Sequence, residues 1–193
     1  MSLPVTFTET ELPGVFEVSA GFVADERGFL MENYVEAAWR SAGFDIAFVQ
    51  DNVSLSAKGT LRGMHYQLEP HGMGKLVRVL RGRAFDVAVD LRRGSPTFGK
   101  WVGRMLDAGN KNALWIPVGF AHGFLAMEDD TMLYYKCSNV YVPQADRALL
   151  YSDPAIAIVW PAPPERVSPK DRQAPPLERA DINFIHRPVS RDQ

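Results

Sequence analysis

The sequence predicts an all-β protein, either a sandwich or a barrel. Short segments rich in β-branched and aromatic residues follow one another closely, glycines and prolines separate them, and only one segment looks helical. The 193-residue length suits one domain. With 46% hydrophobic and 23% charged residues, the composition is that of a soluble globular protein with an adequate core.

The strand predictions follow the apolar segments in chain order. They cover residues 15–18, 29–34, 48–54, 75–80, 84–91, 101–106, 113–116 and 132–137. Within 84–91, valines alternate with Asp86, Ala88 and Asp90, which indicates a strand with two different faces. The single predicted helix covers residues 35–41, because Gly43 stands where glycine often ends a helix.

The composition changes after residue 154, where prolines become frequent. We expect this tail to be irregular, with short helical turns, and to pack over the barrel instead of forming a second domain. The prediction is therefore one domain over residues 1–193, with a core at about 15–160 and a tail at 161–193. The end of the tail, after about Phe184, is expected to be disordered.

Charge and cysteine content limit the function classes. Lys and Arg number 21 against 23 Asp and Glu, so nothing predicts a nucleic-acid or membrane partner. The N-terminus lacks a basic-then-apolar signal and no apolar run approaches a membrane span, which favours a cytoplasmic protein. Cys137 is the single cysteine, which fits a reducing compartment, and its apolar neighbours predict a packed residue instead of a nucleophile.

Two motifs carry most of the chemical information, LRGMHYQ at residues 61–67 and IPVGFAHGF at residues 116–124. Each places one histidine, His65 or His122, shortly after a glycine in a strand-like stretch. Between and beyond them lie Lys75, Tyr135 and several arginines on predicted strands. A base, an acid and cations aimed at one small ligand favour proton abstraction next to a carbonyl, without a metal or redox cofactor.

A series of segments in order resembles the dTDP-4-dehydrorhamnose 3,5-epimerase family. The segments are DERGF (25–29), QDNVS (50–54), GTLRGMHYQ (59–67), KLVRV (75–79), DVAVDLR (86–92), SPTFG (95–99), PVGFAHGF (117–124), YKC (135–137), SDP (152–154) and SPKD (168–171). The resemblance implies a cupin-type jelly-roll barrel and a homodimer. It also implies cofactor-free epimerisation of a dTDP-4-keto-6-deoxyhexose at carbons 3 and 5.

The resemblance also implies catalytic roles. His65 is the expected base, because the pKa of histidine lies near working pH, and Asp171 is its orienting partner. Lys75 is the expected stabiliser of the enolate. Tyr135 is the expected acid on the opposite face, and its neighbour Tyr134 should point to the other side of the strand.

Each of these residues has an ordinary structural role as its alternative. A lone strand histidine is more often structural than catalytic, and Lys75 at a strand start is usually a solvated edge charge. Asp171 could simply cap a helix after Pro169. Only the surrounding family motifs favour the catalytic roles.

The substrate-binding residues implied by the resemblance bear cationic, polar or aromatic side chains. Arginine suits a diphosphate because of its fork geometry, and His122 either donates to the enolate oxygen or contacts the sugar. The full set is Arg27, Glu32, Gln50, Asn52, Arg62, His122, Tyr141, Asp146 and Lys170. The remaining arginines at 78, 81, 83, 92 and 93 are interpreted as surface charge.

Departures from related patterns leave alternatives open. Metal-binding cupins resemble one another in a first motif with two histidines one residue apart and a following glutamate. Here Gln67 stands two positions after His65 and the glutamate position falls near His71, so no metal is expected. The family often has glutamate where this chain has Asp146, and segment 69–74 also differs. The alternatives are a single-carbon epimerase of a related 4-keto nucleotide sugar, a non-catalytic sugar-nucleotide-binding cupin and a metal cupin oxygenase.

Overall fold

A computed structural model describes residues 3–187, in which strands form most of the regular structure. The strands are β1 (Val5–Glu9), β2 (Phe16–Ala20), β3 (Phe22–Asp25), β4 (Gly28–Met31), β5 (Gln50–Ser56), β6 (Thr60–Gln67), β7 (Lys75–Arg81), β8 (Arg83–Asp90), β9 (Trp101–Asp107), β10 (Asn112–Ile116), β11 (Phe120–Ala126), β12 (Thr131–Cys137), β13 (Asp146–Ala148) and β14 (Arg166–Val167). The short helices α1 (Glu36–Ser41) and α2 (Pro169–Arg172) and a 3-10 turn at Leu177–Arg179 complete the described part. No helix there is long and apolar enough to cross a membrane.

The strands form two main sheets. The front sheet has the order β1-β2-β10-β7-β12-β5, and the back sheet has the order β13-β6-β11-β8-β9, with β14 added in parallel to β6. The strands β3 and β4 form a separate hairpin. The predicted all-β jelly-roll architecture is confirmed, and the histidine motifs lie on β6 and β11, which are neighbours in the back sheet.

The core lies between the inner faces of the two sheets. Val77, Leu114 and Leu133 of the front sheet pack against Ala88 and Phe124 of the back sheet, and all five are almost inaccessible to solvent. Apolar burial of this kind contributes roughly 1.5–3 kcal/mol for each large side chain. This packing holds the sheets in fixed positions, so side chains that project from their inner faces meet at one site.

The tail covers the outer face of the back sheet. Ile182 and Phe184 are buried against the side chains that alternate outward on β8, Val87 and Val89. The Tyr66 hydroxyl donates a 2.7 Å hydrogen bond to a carbonyl of the tail at residue 181. The tail thus gives the back sheet a second apolar layer, which explains why β8 is buried on both faces.

Most predicted elements agree with the structure. The helix begins at Glu36, with Val35 as its N-cap residue, and short helical turns occur in the tail as predicted. The strand predicted at 29–34 was too long, because its partner β3 begins at Phe22, opposite Met31, and offers no pairing beyond it.

The assignment of residues 1–193 to one domain stays a prediction. Of the end that was expected to be disordered, Ile185 forms a parallel bridge with Arg93, and the rest lies outside the described residues.

Two of the arginines that were interpreted as surface charge are buried or largely covered. Arg78 is 1% exposed, its guanidinium donates to the Lys111 carbonyl, and burial lowers its pKa to about 10. Arg92 is largely covered and its Nη2 lies 2.7 Å from the buried Asp90 carboxylate. The prediction failed for Arg78 because Met31, at the end of the hairpin, reaches over the outer face of β7.

Candidate active site

A cavity with two adjoining lobes opens between the sheets. The first lobe has a volume of about 480 Å³ and the second of about 640 Å³. His65, Lys75, Tyr135 and Lys170 line both lobes, so these side chains lie where the lobes meet. Three of the four predicted catalytic residues therefore share one point of the cavity, and the fourth, Asp171, lines the second lobe.

His65 and Asp171 form a hydrogen-bonded pair. The Nε2 atom of His65 lies 2.6 Å from Oδ1 of Asp171, while the Gly63 amide donates to Oδ2 at 3.3 Å. Burial favours the neutral form of the Asp171 carboxyl, but these hydrogen bonds hold its pKa below the ordinary value. A carboxylate at Nε2 keeps the proton on that nitrogen and leaves Nδ1 of His65 as the basic atom.

The helix α2 presents Asp171 to the histidine. Ser168 caps this helix, because its Oγ accepts a 3.1 Å hydrogen bond from the Asp171 amide. Pro169 takes the first helical position, where proline is well tolerated. The cap is therefore Ser168, and Asp171 is free to direct its side chain to His65, with 4% of that side chain exposed.

The glycines of the two motifs allow β6 and β11 to approach closely. His65 and His122 are directly opposite in the ladder. A Cβ atom on Gly63, whose φ is +138°, would lie 2.5 Å from the Cα atom of Gly123, and one on Gly123 would lie 2.5 Å from Met64 Sδ. Only residues without a side chain fit this contact, which explains why glycine accompanies each histidine.

Tyr135 faces the histidines from the opposite sheet. It lies on β12 of the front sheet, and its ring centroid is 6.3 Å from that of His122. Burial raises the pKa of its phenol, so it is held in the protonated form. Tyr134 points to the other side, where its hydroxyl donates to the Asp51 carboxylate at 3.0 Å. The two tyrosines thus alternate as the strand geometry predicts.

Lys75 brings a partly desolvated cation to the same point. It begins β7 in the front sheet, beside Cys137 of β12. Burial lowers the pKa of Lys75, while the charges of Asp86 and Asp146 oppose that change. Cys137 is fully buried and accepts from the Asn52 amide at 3.5 Å, and burial raises its thiol pKa, so it packs as predicted.

His122 is paired with Asp86, an acid that was not predicted from the sequence. Its Nε2 atom lies 2.7 Å from Oδ1 of Asp86, which is completely buried. Burial lowers the pKa of His122 despite this partner, so the neutral imidazole is favoured. The available signal was the alternation in β8, because Asp86 shares the inner face with Ala84 and Ala88.

The first lobe is bounded by a chain of polar contacts. The Gln50 side chain accepts a 2.9 Å hydrogen bond from the Tyr141 amide, and the Tyr141 hydroxyl donates to Asp146 at 3.2 Å. Lys170 forms an ion pair with Asp146. The structure thus joins four predicted binding residues around one lobe, with the exposed ring of Tyr141 at its rim.

Cationic side chains border the second lobe. Arg62, a predicted binding residue, donates from Nε to Ser56 Oγ at 3.2 Å and lines this lobe. Arg166 and Arg172 also line it and were missed, because nothing in the sequence separates them from ordinary surface arginines. The second lobe therefore favours an anionic group.

Two predicted binding residues line neither lobe of their own chain. Arg27 lies in the hairpin turn, is 85% exposed and pairs with Asp25 at 2.5 Å. The carboxylate of Glu32 accepts from the Leu3 amide at 2.7 Å. Arg27 is in the turn of the β3–β4 hairpin, Glu32 directly follows β4, and neither is among the residues that line the two lobes.

Metal ligands are not clustered in the described part of the chain. Across residues 3–187, no group of three or more His, Cys, Asp or Glu side chains is arranged to hold an ion.

Comparisons with known proteins identify the family of the chain. The family model described as dTDP-4-dehydrorhamnose 3,5-epimerase matches residues 9–179. A protein of that name from Shigella flexneri is 51% identical over 164 residues, which cover 84% of this chain and 91% of the relative.

Solved structures extend the similarity to the whole fold. An epimerase from Legionella pneumophila in complex with dTDP-4-keto-L-rhamnose has a TM-score of 0.92 and 41% identity, covering 95% of this chain and 100% of that one. A 3'-monoepimerase from Streptomyces bikiniensis in complex with dTDP-quinovose has a TM-score of 0.83 and 36% identity, and the match covers 88% of this chain and 86% of that one. The chain therefore belongs to the dTDP-4-dehydrorhamnose 3,5-epimerase family.

Proposed function

We propose that the protein converts dTDP-4-dehydro-6-deoxy-D-glucose to dTDP-4-dehydro-L-rhamnose by metal-independent inversion of carbons 3 and 5. One observation supports the proposal most strongly: His65, which is paired with Asp171, and Tyr135 lie on opposite sheets and line the same cavity. A sugar ring held between them would meet a base on one face and an acid on the other. Inversion of a carbon requires that the proton leave from one face and return to the other, and this arrangement provides both.

The first step is proton abstraction. His65 Nδ1 takes the proton from the carbon next to the ketone, and the electrons of the broken C–H bond move onto the ketone oxygen. The imidazolium that forms is stabilised by the Asp171 carboxylate at Nε2. The Lys75 ammonium stabilises the enolate oxygen, and its partial burial strengthens that interaction because solvent screens it less.

The second step is protonation from the other sheet. The Tyr135 phenol donates its proton to the enolate carbon on the face opposite His65, which inverts the centre. Solvent then restores the proton of Tyr135 and removes that of His65. The same two steps at the second carbon complete the 3,5-epimerisation.

The remaining predicted residues would bind the nucleotide and the sugar. Arg62 and Lys170 provide cations for the diphosphate, and Tyr141 provides an exposed ring for stacking. For His122, its neutral form and its Nε2 contact with Asp86 favour a sugar contact through Nδ1 over donation to the enolate oxygen. Gln50, Asn52 and Asp146 complete the polar lining.

A single-carbon epimerase is the second candidate. The similarity to the Streptomyces bikiniensis 3'-monoepimerase supports it, and so does Asp146, whose shorter side chain would change contacts at the rim of the first lobe. The base, the acid and the enolate stabiliser would keep their roles. A non-catalytic binding cupin would bind dTDP without proton exchange, and a metal cupin oxygenase would copurify with its metal.

We also propose a cytoplasmic homodimer. The hairpin exposes Phe29 at 57% and Leu30 at 68%, and the outer face of β5 exposes Val53 at 62%. A second copy would cover this apolar surface. Arg27 and Glu32, which line neither lobe of their own chain, would then be presented by the hairpin to the cavity of the partner. The single cysteine, Cys137, supports the cytoplasmic location.

The substitution His65→Asn should abolish proton exchange in a folded protein. Removal of the base is expected to lower kcat/KM by roughly 10²- to 10⁴-fold. Deuterium incorporation from heavy water, followed by mass spectrometry, measures the loss, and the matched variant His186→Asn should behave as wild type because His186 lines neither lobe. Wild-type exchange by His65→Asn would contradict the assignment of the base.

The substitution Tyr135→Phe should separate exchange from product formation. His65 would still remove and return protons, so exchange at carbon 3 should persist while the inverted product falls by about 10²-fold or more. NMR of the reaction mixture distinguishes the two processes. The control Tyr134→Phe should retain both, since that hydroxyl contacts Asp51 on the outer side. Equal retention of both processes by Tyr135→Phe would remove it from the acid role.

The substitution Leu30→Glu should disrupt the dimer. A buried unpaired carboxylate at this position is costly, so the variant is expected to elute with a mass near 21.5 kDa, whereas wild type shows twice that mass. Multi-angle light scattering gives both masses. The matched control Val159→Glu, at a residue that is 71% exposed just before the tail, should remain dimeric. A monomeric wild type, or a dimeric Leu30→Glu variant, would contradict the proposal.

A further inference from the structure

A buried carboxylate lies behind the proposed catalytic groups. Asp86 is in the middle of β8 and is 0% exposed, with Ala84 and Ala88 on either side of it along the inner face. Small neighbours leave room for its side chain to reach the adjacent strand β11. Its register partner there is Phe124, and His122 lies two residues away along that strand.

The hydrogen bonds of Asp86 do not offset the free-energy cost of burying its carboxylate, so burial of this residue does not stabilise the fold. Its Oδ1 atom is 2.7 Å from Nε2 of His122, but its Oδ2 atom has no hydrogen-bond partner among the described residues. A buried carboxylate with one unsatisfied oxygen is costly, and an apolar side chain would stabilise the barrel more. Asp90, at the end of the same strand, is equally buried but accepts from Arg92, Ser95 and Thr97.

The location of Asp86 indicates a functional reason for burying its carboxylate despite the cost in free energy. It lies behind His122, which lines the second lobe, and its charge acts on the Lys75 ammonium across the barrel. Both neighbours are proposed to contact the substrate. Strained or poorly satisfied buried charges of this kind are typical of functional sites.

We propose that Asp86 is a positioning residue of the proposed epimerase. Its carboxylate holds the proton of His122 on Nε2, and its charge balances the Lys75 ammonium beside the enolate oxygen. The inference rests on the proposed function and deepens it. Lys75 then presents an ammonium donor to the ketone of the sugar, and the neutral imidazole of His122 presents an acceptor to a sugar hydroxyl.

Asp86→Asn tests the proposal with little change in volume. Asparagine can present either its carbonyl or its amide to Nε2, so it neither selects one tautomer of His122 nor supplies charge. We expect kcat to fall roughly 10- to 100-fold, by analogy with the loss of carboxylate partners that orient metal-ligating histidines. The affinity for dTDP should be unchanged, because Asp86 lines neither lobe.

The pH profile separates positioning from stability. The groups whose charge acts on Lys75 are Cys137 of β12, Asp86 of β8 and Asp146 of β13, with His122 of β11 also close. Loss of the Asp86 charge favours the neutral amine, so the alkaline limb of kcat should move to lower pH. Asp86→Glu keeps the charge, so its alkaline limb should lie at the wild-type pH. Its kcat should still be reduced, because the longer side chain misplaces the carboxylate relative to His122.

The matched control is Asp90→Asn, the same substitution at an equally buried position of β8. It should lower thermal stability and leave kcat and its pH profile as in wild type. An Asp86→Asn variant with wild-type kcat and an unmoved alkaline limb would overturn the inference. If Asp86→Asn fails to fold, Asp86→Glu decides, because wild-type kcat there would overturn it. Wild-type enzyme that exchanges no substrate protons would instead overturn the proposed function.

Discussion

The 2.6 Å hydrogen bond between His65 and Asp171 is the interaction on which the rest of the site depends. It joins a central strand of the back sheet to a helix of the tail, 106 positions later in the chain. The same carboxylate accepts from the Gly63 amide, so the strand and the helix are fixed at two points. The tautomer of His65 is therefore defined only when the tail is packed on the barrel, so the proposed base would be complete only after folding is complete.

The site concentrates charge inside an otherwise apolar structure. Lys75, Asp86 and Asp171 all lie wholly or partly out of solvent in the barrel or under the tail, and burial favours the neutral forms of Lys75 and Asp171. Hydrogen bonds and opposite charges offset this tendency for Asp171 and Lys75. The core of Val77, Leu114, Phe124 and similar residues supplies the stability that tolerates such groups. The two packed sheets in turn keep the proposed base, His65, and the proposed acid, Tyr135, on opposite walls of the cavity.

The sequence predicted the general architecture and the residues that meet at the cavity. Segment order and family motifs were enough to select His65, Asp171 and Tyr135, because each motif combines a reactive residue with the glycine or turn that its position requires. The burial of Arg78 and the pairing of Asp86 with a histidine were not predicted. Both depend on which strands become neighbours, and that arrangement of distant segments is not encoded in local periodicity.

In the proposed mechanism, one base and one opposing acid invert two carbons next to a ketone. The most direct test is mass spectrometry of dTDP-4-keto-6-deoxyglucose incubated with the wild-type enzyme in heavy water, with a downstream reductase to trap the product. The proposed 3,5-epimerase would give a rhamnose-configured product with solvent deuterium at both carbon 3 and carbon 5. Deuterium at one carbon alone would indicate the single-carbon epimerase. Bound dTDP without any deuterium incorporation would contradict the account.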